Sequence, residues 1–214
     1  MIVNKRWLIA LISMMVLLTA CGPSAKFTGK NVPKPREIAV LTTINNTTDV
    51  DGGIVFRNLI YQLMPHYKSG YRLQNRDVTD SLLADAGITD GGQLDALSRK
   101  ELSEILGVDG LMYVTVNALE YKTLGISSTR KVSANLKLYS GDQLYWEDER
   151  EVDNGKSGFN TLLTAINDPK QALKESAEDL AWQVAEKGVK GWLLKHPLKP
   201  EMMDVLDNSL QTLP

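Results

Sequence analysis

An α/β domain built on a mixed sheet is what this 214-residue chain predicts, and three features predict it. Residues Glu37-Ile38-Ala39-Val40-Leu41-Thr42 form a near-continuous apolar run, the pattern of a strand buried on both faces. An amphipathic helical stretch and then a short strand follow, which is the order of a right-handed parallel crossover. Farther on, Val132, Ala134, Leu136 and Leu138 alternate with Ser133, Asn135 and Lys137, and Ser140-Gly141-Asp142 turns the chain into Gln143–Glu151. That is an antiparallel hairpin with one wet face. The sheet is thus expected to be parallel in its N-terminal part, antiparallel in its C-terminal hairpin, and flanked by helices.

The chain opens on a leader. Lys5 and Arg6 precede an uncharged apolar run from Trp7 to Leu18, the length of a signal-peptide core and short for a membrane span. Residues 1–20 read as the signal peptide. Small residues then precede Cys21, the only cysteine, and Leu18-Thr19-Ala20-Cys21 resembles the lipobox of bacterial lipoproteins. The resemblance implies cleavage before Cys21 and a diacylglycerol on its thiol, so the membrane becomes a partner through that lipid. Two or three acyl chains hold a protein durably where one does not. Gly22 follows where an Asp would mark inner-membrane retention, so the same analogy points to the periplasmic face of the outer membrane, with surface exposure left open.

Removing the leader takes away two basic residues and no acid, leaving 22 basic against 26 acidic residues, a net of −4. Nothing in that balance calls for nucleic acid as a partner. A lone cysteine carrying lipid leaves no thiol for disulfides, metal or nucleophilic catalysis. Roughly 190 mature residues suit one domain with a sizeable core.

The mature chain divides into a lipidated tether over 21–36, a single α/β domain over 37–196 and a tail over 197–214. Gly, Ser, Lys and Pro content, with Pro33 and Pro35 close together, marks the tether as an extended spacer. A polar loop from Asn45 to Gly53 leads into a helix that gathers Val55, Phe56, Leu59, Ile60, Leu63 and Met64 on one face. Pro65 is expected to end or kink it, and Gly70 to release a strand near Tyr71–Leu73. Val78, Leu82 and Leu83 mark the next helix, closed by Gly87. Asp90 with Gln93, and Ser98 with Glu101, have capping-box spacing. Leu102, Ile105 and Leu106 then face inward until Gly107 stops the helix. Leu111–Leu119 reads as a central strand. A long helix is expected from Pro169 to Lys195, with Leu173, Ala177, Leu180 and Val184 as its stripe and Gly188 as either a close-packing point or a break. Met202, Met203, Leu206 and Leu210 give the tail helical spacing, so it docks as a short helix or frays.

Two resemblances follow from these residues. Ile38-Ala39-Val40-Leu41 with Asn45-Asn46-Thr47-Thr48-Asp49, and later Leu97–Gly107 with Val108-Asp109-Gly110, resemble TolB-type amino-terminal domains. More closely, residues 37–195 resemble a family of bacterial lipoproteins without assigned function, best known from a neisserial surface lipoprotein studied as a vaccine antigen. Glu104-Ile105-Leu106-Gly107-Val108-Asp109-Gly110-Leu111-Met112-Tyr113-Val114-Thr115-Val116 is the most specific part of that match, followed by Gly141–Trp146. The resemblance implies a TolB amino-terminal-like fold, kinship with the curli secretion lipoprotein CsgG, and membership of a CsgG-like envelope complex. It supplies no catalytic residues.

The residues themselves point to binding or assembly, with a homo-oligomer or another envelope lipoprotein as partner. The alternative is a small-ligand or enzymatic site on the Asn45–Gly53 loop, with Asn45, Asn46, Asp49 and Asp51 as its residues, because open α/β sheets bind ligands beyond the carboxyl ends of their strands. That loop has no Walker or Gly-x-Gly-x-x-Gly pattern, and Asp49 and Asp51 would repel a phosphate. Acids there also cap the following helix and suit its dipole. His66 and His196, each beside a proline, lack metal-ligand spacing and read as surface or loop-end residues. Glu147-Asp148-Glu149-Arg150-Glu151 reads as a solvated strand edge, with the three glutamates on one face and Arg150 on the other. No catalytic residue, metal site or cofactor is assigned.

Overall fold

The computed structural model describes residues 25–27, 31–67, 70–124, 127–154 and 196–214. Among the described residues, seven strands make one mixed sheet: β1 (Lys26–Phe27), β2 (Glu37–Val40), β3 (Ile44–Asn45), β4 (Arg72–Leu73), β5 (Gly110–Leu124), β6 (Ser127–Ser140) and β7 (Gln143–Asp153). Helices α1 (Gly52–Tyr67), α2 (Arg76–Asp85), α3 (Arg99–Leu106) and α4 (Lys199–Thr212) flank it, with a 3-10 turn over Gly91–Ala96. The strand order is β1-β7-β6-β5-β2-β4, and β3 also pairs with β5. β2 runs parallel to β4 and to β5, whereas β5, β6, β7 and β1 are antiparallel in succession. The parallel-then-antiparallel division expected from the hydrophobic pattern is what the sheet shows.

Burial explains that pattern. Ile38 and Val40 join a core under α1 and α4, while Ala39 and Leu41 join a second core under α2, the 3-10 turn and α3. All four are fully buried, so β2 has no polar face to show. β6 instead buries Val132, Ala134, Leu136 and Leu138 on the α4 side and leaves Asn135 and Lys137 part-exposed on the other. Its two-residue turn into β7 places Gly141 at φ 56° with no other positive φ, the arrangement in which only the first turn residue must be glycine.

The helix ends follow their caps. Asp90 with Gln93 and Ser98 with Glu101 both form reciprocal capping boxes, although the first opens a 3-10 turn. Helix α1 runs through Pro65 to Tyr67, two residues past the predicted break. Val78 is exposed, and the buried positions of α2 are Thr79 and Leu83. Gly91 lies against the chain after β2: a Cβ there would sit 2.3 Å from the Thr43 carbonyl oxygen, so no side chain fits.

One open alternative is decided and two expectations change. The tail is a docked helix: Met202, Val205, Leu206 and Leu210 of α4 are fully buried, and Trp146 Nε1 donates to Thr212 Oγ1. Residues 197–214 therefore complete the same core as the strands. Residues 26–27 and 31–36 of the tether are not a free spacer, since Lys26 and Phe27 pair with Glu147 and Trp146, Pro35 is buried and Val32 packs on the core. Finally, Asp148 of β7 is fully buried and paired with Arg150, so that run is not solvated throughout. The signal peptide, Cys21 and the helix expected over Pro169–Lys195 lie outside the described residues.

Replacing Leu206 by Ala removes side-chain volume at a fully buried site in the core. The expected loss of stability is about 2–5 kcal/mol in denaturant unfolding, as for other buried leucines. A tail that merely frayed would show almost none.

Candidate functional site

The sequence places its candidate ligand loop at the carboxyl end of the first parallel strand, and the structure finds that loop closed on itself. Asn45 ends β3, pairing with Val116 of β5, and its side chain serves the loop on both sides. Its Nδ2 donates to the Asp49 carbonyl at 2.6 Å, and its Oδ1 accepts from Thr47 N and Thr47 Oγ1. Asn46 Nδ2 donates to Asn117 Oδ1, and the Asn46 amide to the Val116 carbonyl. Asp51 is exposed and contributes its carbonyl to Val55.

Asp49 is engaged through both oxygens. Oδ1 accepts the Gly52 amide at 2.9 Å, capping the start of α1 as an acid at that position should. Oδ2 lies 2.8 Å from His196 Nε2, 147 residues away. His196 is buried rather than at the surface, and its Nδ1 accepts the Leu198 amide at 3.1 Å. With Nδ1 occupied as an acceptor, Nε2 carries the proton and donates it to Asp49. Neither ring nitrogen is left to act as a base, so this Asp–His pair is a lock between the loop and the start of α4. His66 is exposed on α1. Among the described residues, no group of three or more His, Cys, Asp or Glu is placed to hold a metal ion.

Burial pushes the Asp49 carboxyl up, but the His196 hydrogen bond and the Gly52 and Asp51 amides outweigh it and hold the pKa below the ordinary 3.8.

A residue outside the sequence reading organises the next strand end. Arg57, on the buried side of α1, donates Nε and a terminal nitrogen to the Val40 carbonyl at 3.0 and 2.6 Å, and pairs with Asp80 of α2 at 2.6 Å. It satisfies the carbonyl on which β2 stops and ties α1 to α2 across the sheet. Tyr61 lies beside it, with its hydroxyl 3.5 Å from the same carbonyl, and burial raises the phenol above its usual range despite the neighbouring arginine. The only sequence signal was a charge set within an otherwise apolar helix face.

Beyond Tyr61 an open groove of about 540 Å³ runs along the outer side of β4, lined by Asn58, Tyr61, Gln62, Pro65, Leu73 and Arg76 among others. Arg72 and Gln74 donate their amides to Arg36 and Ile38 of the β2 side. Leu73 between them therefore turns its own N–H and C=O outward, where no strand pairs with it among the described residues.

The most specific motif also has a structural role. Both Asp109 carboxylate oxygens accept the Arg36 amide at 3.0 Å, and Oδ1 takes the Glu37 amide at 2.8 Å. A Cβ on Gly110 would lie 2.9 Å from Ile38 and Pro35. Val108-Asp109-Gly110 is thus the joint that seats the start of β2 against β5.

A mixed sheet with helices on both faces, seated by that joint, defines a class of small α/β domains. Within it, this chain belongs to the GNA1162-like lipoprotein family, whose model, described as "Putative lipoprotein GNA1162-like", matches residues 26–199. A relative from Neisseria meningitidis serogroup B, "Putative lipoprotein NMB1124/NMB1162", is 25% identical over 184 residues, spanning 82% of this chain and 84% of its own. The crystal structure of lipoprotein GNA1162 from Neisseria meningitidis matches 64% of this chain and 99% of that one, at 23% identity and a TM-score of 0.51. PelC from Paraburkholderia phytofirmans, solved as a dodecamer, matches 90% of this chain and 98% of its own at 12% identity and a TM-score of 0.48.

Two outcomes test the lock. His196→Ala is expected to lower unfolding stability by about 1–3 kcal/mol, the range for leaving buried partners unsatisfied. Because the Asp49 pKa is lower folded than unfolded, its contribution is complete above about pH 4 and is lost as pH falls through the folded value. Asp49→Asn is accordingly expected to flatten the acid limb of the stability–pH curve below pH 4 and leave its neutral limb unchanged in shape.

Proposed function

We propose that this chain is a lipid-anchored envelope protein whose domain works by binding and assembly and performs no catalysis. In this reading residues 1–20 are removed, Cys21 carries diacylglycerol, and the domain sits on the periplasmic face of the outer membrane. Its partners are other envelope lipoproteins, of the CsgG-like kind that the family resemblance implies, or further copies of itself. Membership of a lipoprotein family supports the anchor. Among the described residues no helix is long and apolar enough to cross a membrane, so attachment through lipid suits what is seen.

The observation that carries the binding role is the contrast between two places on the sheet. At the loop where an α/β sheet would hold a small ligand, Asp49, His196 and Asn45 are already committed to one another and to backbone. At the β4 edge, an outward N–H and C=O on Leu73 face a groove floored by Tyr61 and Pro65. Extended peptide adds to such an edge by main-chain hydrogen bonds, with alternate side chains entering the groove.

Cys21→Ser is expected to abolish incorporation of labelled palmitate in cells; a variant that still takes up label contradicts the assigned site. For the binding role, Leu73→Pro removes the outward donor and spares the amides bonded to β2. Crosslinking in intact cells should yield a protein partner for the parent, and yield several-fold less for Leu73→Pro. A parent that is strictly monomeric and uncrosslinked contradicts the proposal.

A further inference from the structure

The segment between the lipid and the sheet is held to the domain at successive points. Lys26 and Phe27 pair with Glu147 and Trp146 at the β7 edge. Val32 packs on the core between β1 and β2. Lys34 Nζ reaches the Pro214 carbonyl at 3.2 Å and lies 4.2 Å from the centre of the Tyr71 ring. Arg36 and Glu37 are then clamped by Asp109. Residues 22–25 alone separate Cys21 from the first of these attachments. Whatever their conformation, five Cα steps span at most about 18 Å, whereas a free spacer running to Glu37 would reach about 55 Å.

That bound orients the sheet. β1 and β4 are its opposite edges, and five strand intervals put them about 24 Å apart. We propose that the β1 edge, with β7 and β6 behind it, is the surface the domain lays against the headgroups of its own leaflet, and that the β4 groove faces away from the bilayer. This rests on the lipid on Cys21 proposed above. The chemistry of the proximal strands fits a zwitterionic headgroup layer. Their wet face carries charges already compensated across strands, Lys137 with Glu147 at 3.3 Å and Lys131 with Glu151 at 2.8 Å. Such a surface neither repels headgroups strongly nor needs anionic lipid to stay in place. A consequence for recognition is that partners meet the groove from the periplasmic side, within a few nanometres of the membrane.

Energy transfer from single labels to acceptor lipids tests this on the full mature lipoprotein in phosphatidylcholine vesicles. The acylated Cys21 is not thiol-reactive, so Glu149→Cys on β7 and Asp77→Cys beside the groove each give one labelling site; both residues are exposed. With a dye pair of short range, transfer from position 149 is expected to be at least twofold that from position 77. Inserting twenty Gly/Ser residues between Gly22 and Pro23 is expected to bring the two to the same low value. Equal or reversed transfer in the parent overturns the orientation, and a difference that survives the insertion overturns the short link as its cause. Flotation with the vesicles is read first: protein that does not float overturns the anchor itself, whereas protein that floats with equal transfer overturns the orientation alone.

Discussion

Strand β5 is the constraint from which the rest of the molecule follows. It pairs along its whole length with β6, holds β2 and β3 on its other side, and is the point at which the sheet changes from parallel to antiparallel. Asp109, the residue immediately before it, takes the amides of Arg36 and Glu37 and so fixes where the chain enters the sheet. Backbone amides received by an ionised carboxylate are among the stronger hydrogen bonds available to a protein. With entry fixed there, the preceding residues are drawn across the domain to the β7 edge, and what composition marks as a spacer becomes part of the fold.

The polar groups at the strand ends are used in the same way. Arg57 satisfies the Val40 carbonyl where β2 stops, and Asp49 with His196 joins the following loop to the approach to α4. Each solves a local problem of unsatisfied backbone or loop closure and links elements far apart in sequence. Under the binding role proposed above, interaction falls to the edges of the sheet. The β1 end is taken by the membrane-proximal segment in the reading proposed here, and the β4 end carries the groove.

Much of this was legible beforehand, for stated reasons. Strands buried on two faces read as continuous apolar runs and half-buried strands alternate, so Ile38–Leu41 and Val132–Leu138 announced their environments. Capping boxes are local, so Asp90, Gln93, Ser98 and Glu101 could be paired by spacing alone. Asp49 was legible as a helix cap because an acid belongs there, but its second partner was not, since no local pattern links it to His196. A two-residue strand such as β1 is below any periodicity, and Pro33 and Pro35 argued against order that tertiary contacts nevertheless impose. The motif around Asp109 stood out by resemblance, yet its work lies 73 residues upstream. Arg57 carries no signal in the hydrophobic pattern, which does not show what a buried strand end still lacks.

Residues 26–27 and 31–37, which composition marks as a spacer, are folded into the domain, and the rest of the account depends on this. Amide hydrogen exchange over residues 25–37 of the mature protein tests it most directly. The Arg36 and Glu37 amides, and those of Lys26–Phe27 that pair with β7, should exchange only through openings comparable to those of β5, with protection of several orders of magnitude over a free peptide. Exchange of the whole segment at the rate of an unstructured linker would contradict the claim.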